Sequence, residues 1–83
     1  MKYIIYTFNE QDDDKGKVWI ANLSDGKANV IANGKITVSF KIDSIGISLE
    51  KEIMTDNNVI YSSLIEANTL EEAILLIPPE LYL

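Results

Sequence analysis

Three features of the sequence predict an α+β fold. Apolar and polar residues alternate through most of its length, an Asn-Gly pair stands at positions 33 and 34, and helical periodicity appears near the end. The expected architecture is an antiparallel meander sheet of five or six strands, open or curled into a half-barrel, with one C-terminal helix across a face. Its 83 residues make a single compact domain, 1–83.

Lys2 to Asn9 reads as the first strand, with Ile4, Tyr6 and Phe8 on one face and Tyr3, Ile5 and Thr7 on the other. Bulk on both sides predicts a strand that is central or covered on both faces. Residues 10–16, which include Asp12, Asp13 and Asp14, form a solvated loop. Lys17 to Leu23 is a second strand, with Val18 and Ile20 facing away from Trp19, Ala21 and Leu23, and Ser24-Asp25-Gly26 turns the chain.

Asn33-Gly34 predicts a hairpin with a type I′ turn, because both central positions need positive φ. Beyond the turn, Ile36, Val38, Phe40 and Ile42 alternate with Lys35, Thr37, Ser39 and Lys41. A two-residue loop places Ile31 opposite Ile36 and Val30 opposite Thr37. At Asp43-Ser44 the apolar parity slips to Ile45, Ile47 and Leu49, which predicts a bulge bending one long strand. Glu50-Lys51-Glu52 makes a polar strand end, and residues 55–58 make a turn. Val59 to Glu66 is the last strand, with Val59, Tyr61 and Ile65 on one face and Ile60 and Leu64 on the other.

From Thr69 the period becomes helical. Thr69 and Glu72 have capping-box spacing, and Glu71 and Glu72 suit the positive end of the helix dipole. Leu70, Ala73, Ile74 and Ile77 form one apolar stripe, widened by Leu75 and Leu76, and Pro78-Pro79 ends the helix. The run Thr69-Leu-Glu-Glu-Ala-Ile74 resembles the helix opening that follows a strand in HicB-type antitoxin domains. Over six residues, the resemblance implies a helix after the last strand.

Composition excludes several function classes. There is no cysteine, histidine or arginine, and seven lysines face thirteen acidic residues for a net charge of −6. Without histidine or cysteine, no Ser–His or Cys–His nucleophilic dyad can form, and no disulfide can staple the fold. Without arginine there is no bidentate fork for phosphate or guanine, and the net charge repels nucleic acid, so none is expected as a direct partner. No apolar run approaches a membrane span, and the start lacks the pattern of a signal peptide. The expected location is the cytoplasm of a bacterial or phage-infected cell, since abundant Ile, Asn and Lys beside zero Arg is associated with AT-rich genomes.

Candidate chemistry is sparse. Asp12-Asp13-Asp14 begins like a calcium loop, but the positions for glycine and the bidentate glutamate hold Lys17 and Leu23. Glu50 and Glu52 share a strand face in this reading and form a carboxylate pair without a pocket to shift either group. No cofactor, metal or catalytic residue is assigned, and no enzymatic activity is expected.

The expected function is that of a small acidic protein-binding module that inhibits a larger protein. A phage-encoded blocker of a host defence nuclease, of the anti-CRISPR type, is one example. Alternatives are a protein that sequesters a small molecule between sheet and helix, signalled by Asn22, Ser62 and Ser63, and an antitoxin-like or structural subunit of an oligomer. Partner contacts are expected at Asp12, Asp13, Asp14, Trp19, Glu50, Glu52, Leu81, Tyr82 and Leu83. The apolar tail, lying past a proline stop, predicts a homodimer with the tail or an edge strand in the interface.

Overall fold

In the computed structural model, which describes residues 1–9 and 12–83, the strands are β1 (Lys2–Phe8), β2 (Lys17–Asn22), β3 (Lys27–Ala32), β4 (Lys35–Lys41) and β5 (Val59–Glu66). They form one open antiparallel sheet in the order β4-β3-β2-β1-β5. The first four strands follow a meander. β5 leaves that order and crosses to the far side of β1, so the strand with bulk on both faces sits inside the sheet. Glu10 and Gln11, the start of the expected 10–16 loop, lie outside the described residues.

The α+β class holds, with helices α1 (Gly46–Met54) and α2 (Leu70–Leu75) and a 3₁₀ turn over Pro79–Tyr82. α1 occupies the segment expected to be a bent strand ending in Glu50-Lys51-Glu52. Ile45, Ile47 and Leu49 fit period two, but Leu49 and Ile53, four apart, are the residues that become buried. That is the spacing of one helix face, and Ile47 is left in solvent.

Each face of the sheet has its own core. On one, Tyr3, Ile5, Val18, Ile20 and Ile31 pack under Ala73 and Ile77, joined by Leu70, Ile74, Leu81 and Tyr82. On the other, Ile4, Tyr6, Ala21, Leu23 and Ala28 pack under Leu49 and Ile53. The second face is therefore covered by α1, and no curling into a half-barrel is needed. Fully burying one such aliphatic side chain contributes roughly 1.5–3 kcal/mol, which explains how a small chain without disulfides fills two layers.

The turn at 33–34 is type I′, with φ of 52° at Asn33 and 78° at Gly34. Ile31 lies opposite Ile36 as expected, but Val30 lies opposite Val38 instead of Thr37. A bulge admits Thr37 as the extra residue, and its hydroxyl donates to the Val30 carbonyl at 3.0 Å. In β5 a second irregularity pairs Phe8 with Val59 and leaves Ile60 out of register. Val59 therefore packs towards α1 while Ile65 packs towards α2, contrary to their expected common face.

Thr69 caps α2 by accepting from the Glu72 amide at 3.2 Å, and the Glu72 carboxylate accepts from the amide of Asn68 at 3.1 Å. Leu75 and Leu76 do not widen the buried stripe and instead face solvent. After Pro78 the tail folds back across the sheet, where Leu81 and Tyr82 join the core under α2. It passes so near β2 that a Cβ on Gly16 would stand 2.8 Å from the Tyr82 carbonyl oxygen.

Candidate functional site

β4 is an edge strand, and all seven of its residues are exposed. Period two beyond the bulge puts Val38 and Phe40 on the face of Val30 and Ala28, the face that α1 covers elsewhere. α1 begins beside Leu23, whose carbonyl accepts from the Gly46 amide at 2.6 Å, and leads to β5 at the opposite edge. Its core therefore excludes Val38 and Phe40, which remain 54% and 40% exposed, while Ile36 beyond the bulge is 49% exposed.

The inner side of β4 is firmly held. Ser39 donates to the Oδ1 atom of Asn29 at 2.6 Å, satisfying the acceptor of a buried polar side chain, and Thr37 secures the bulge. On its outer side, among the described residues, no strand neighbours it, and backbone donors and acceptors are offered there. The edge is thus a fixed template with apolar side chains beside unpaired backbone.

Charge is divided along the chain. Residues 27–42 contain three lysines, Lys27, Lys35 and Lys41, and no acidic residue. Residues 52–83 contain six acidic residues and no lysine. The sheet therefore presents a basic edge at β4 in a protein whose net charge is −6.

The residues expected to contact a partner fall in three separate places. Asp12 and Asp13 are exposed, while Asp14 shares a depression of about 170 Å³ with Phe8, Tyr61, Leu81 and Leu83. Glu50 and Glu52 lie on α1, where Glu52 accepts from the Ser44 hydroxyl at 2.7 Å and Glu50 lines a shallow depression with Leu23, Ile45 and Ile47. Trp19 is half-buried on the α1 face, edge-on to Phe8 at 4.7 Å and stacked on Tyr6 at 6.4 Å. Leu81 and Tyr82 serve the chain's own core, and of the three expected tail residues Leu83 is exposed. Asp14, Leu81 and Leu83 meet at one depression, and nothing in the geometry gathers the other expected residues with them. The β4 residues Lys35, Val38, Phe40 and Lys41 were absent from the expected set. Counting charge segment by segment, instead of over the whole chain, is the signal that singles them out.

Other chemistry is limited. Among the described residues no group of three acidic side chains could hold a metal ion. The Asn22 side chain, expected to hint at a ligand, accepts from the Ser24 amide at 2.8 Å and so belongs to the β2–β3 turn. Burial raises the Tyr6 hydroxyl pKa to about 12, assisted by the nearby charges of Asp56 and Glu52. Burial likewise raises Tyr3, with Asp25, Glu71 and Glu72 adding to the shift. Tyr82 is raised by burial and slightly relieved by the Gly34 backbone, although its hydroxyl makes no bond of hydrogen-bond geometry.

Among the described residues no helix is long and apolar enough to cross a membrane. What the fold and edge define is an open antiparallel sheet with a helix on each face and one exposed basic strand. No protein-family model, curated protein or solved structure matches the chain.

Proposed function

We propose that the chain is a small protein-binding module that acts without chemistry of its own, docking through β4 and its flank to inhibit a larger protein by covering part of its surface. The observation that carries this reading is the exposure of Ile36, Val38 and Phe40 on a strand whose outer backbone has no neighbour. The absence of histidine, cysteine and arginine supports the non-catalytic half of the reading. Leu81 and Tyr82 are already used by the chain's own core, so of the three tail residues expected in a dimer interface Leu83 is the one left exposed.

A photo-crosslinking residue placed at Val38, compared with one at Glu71 on the exposed side of α2, tests the reading in cells. A discrete heterologous adduct from position 38 and none from position 71 is expected. No adduct from position 38 would sink the proposal.

A further inference from the structure

We infer that β4 takes an extended acidic segment of its partner as a sixth strand of the sheet, with carboxylates opposite Lys35 and Lys41. This assignment rests on the binding-module reading and adds the chemistry of the occupant. The free edge supplies main-chain donors and acceptors along seven residues, which is the basis of strand addition. Exposed Val38 and Phe40 on one side of the strand, and Ile36 near the turn, offer apolar contacts to an alternating segment.

Charge selects the occupant. Lys35 and Lys41 mark the two ends of the strand, Lys27 lies opposite Lys41, and no carboxylate from residues 27–42 neutralises them. Because Thr37 is the extra residue of the bulge, Lys35 and Lys41 lie on opposite faces of the sheet. An antiparallel segment meets both when its two acidic residues stand five positions apart, one on each face. A second copy of β4 in the symmetric register centred on Val38 would set each Lys35 against a Lys41, and like charges directly opposite are destabilising. A nucleic acid would use the lysines but not the row of backbone amides, and the surrounding charge of −6 opposes it.

The probe is a synthetic peptide, Gly-Glu-Val-Thr-Val-Val-Glu-Gly, whose two Glu are spaced to face Lys41 and Lys35 across the bulge, with the same peptide carrying Lys for Glu as its counterpart. Binding to the full chain is followed by fluorescence anisotropy, and hydrogen exchange is followed residue by residue. The Glu peptide should slow exchange in residues 35–41 alone, and should bind about tenfold more tightly than the Lys peptide if each end pair contributes a typical cross-strand charge preference. Raising salt should shrink that difference. The double variant K35E/K41E should invert the preference. The milder K35Q/K41Q should abolish it, with both folds verified by circular dichroism.

Equal affinity for the two peptides, protection at 59–66 instead of 35–41, or no binding would each overturn the assignment. So would protection of β4 that grows with protein concentration alone, which would make a second copy the occupant. RNA binding that leaves the β4 amides unprotected and displaces the peptide would overturn it too. None of these results touches the crosslinking test of the binding-module reading, so the two can fail separately.

Discussion

Replacing Gly26 with alanine should destabilise the protein far more than replacing Gly34, although both glycines have nearly the same φ, 74° and 78°. An L-residue in this region is disfavoured by about 1–2 kcal/mol, partly offset by about 0.4–1 kcal/mol because alanine restricts the unfolded chain. Around Gly34 a new methyl meets nothing within 4 Å, so Gly34→Ala should cost only about 1 kcal/mol. At Gly26 the methyl would collide with the Ile42 carbonyl oxygen and stand 3.1 Å from that of Ser44. Those are backbone atoms of the segment that carries the chain from β4 into α1, and the Ile42 amide donates to the Gly26 carbonyl at 2.8 Å. Forcing that segment away adds roughly 2 kcal/mol of overpacking and weakened hydrogen bonding, for a total near 3 kcal/mol. For a domain of this size, each kcal/mol moves the melting temperature by roughly 4–8 °C. The expected drops are therefore about 5 °C for Gly34→Ala and about 15 °C for Gly26→Ala, measured by thermal and urea denaturation under identical conditions. Equal losses, within about 0.5 kcal/mol, would refute the claim that close backbone approach, and not φ alone, requires glycine at 26.

Further outcomes follow from the two cores and the tyrosines. Leu49→Ala empties the centre of the α1 core and should lower stability by about 2–5 kcal/mol, read as a shift in the urea midpoint. Tyr6 is protonated in both states below pH 10. Between pH 10 and about 12 only the unfolded chain releases the proton, so stability falls as pH rises through that window. The loss from this residue should reach about 2 kcal/mol after allowing for solvent screening, and Tyr6→Phe should flatten that part of the urea-midpoint profile between pH 9 and 12. Tyr82→Phe removes a buried hydroxyl without a partner and should leave the protein equally stable or raise stability by about 1 kcal/mol, whereas a large loss would reveal a bond that the hydroxyl makes.

Local chemistry was the legible part of this fold. Asn33-Gly34 specified its turn because positive φ is a property of those two residues, and Thr69 specified a helix start because the cap lies within four positions. Illegible features depended on distance. Ile45, Ile47 and Leu49 satisfy period two, Leu49 and Ile53 satisfy the helical one, and packing on Ala21 and Ala28 chooses helix. β5 looks like one more meander strand until β1 is seen to need a second neighbour. Tail residues Leu81 and Tyr82 appeared surplus because their partners, Val18 and Ile31, lie some fifty residues away or more along the chain. The candidate site was missed for a different reason. Its basic character disappears in the whole-chain charge of −6, and its exposure follows from where α1 stops covering the sheet.

The place of β1 between β2 and β5 has a consequence for biosynthesis. β1 leaves the ribosome before every other element described, acquires β2 soon afterwards, and gains its second neighbour only when β5 and the α2 layer follow. Until then one side of Tyr3, Ile4, Ile5 and Tyr6 has no strand beside it, and the face of Tyr3 and Ile5 lacks α2, although α1, made before β5, can already cover the other. Such an intermediate exposes unpaired backbone and apolar surface together, the combination that invites misassembly. The nascent chain therefore depends on late-made residues to protect early-made ones, and slowing translation after β4 should increase its demand for chaperones.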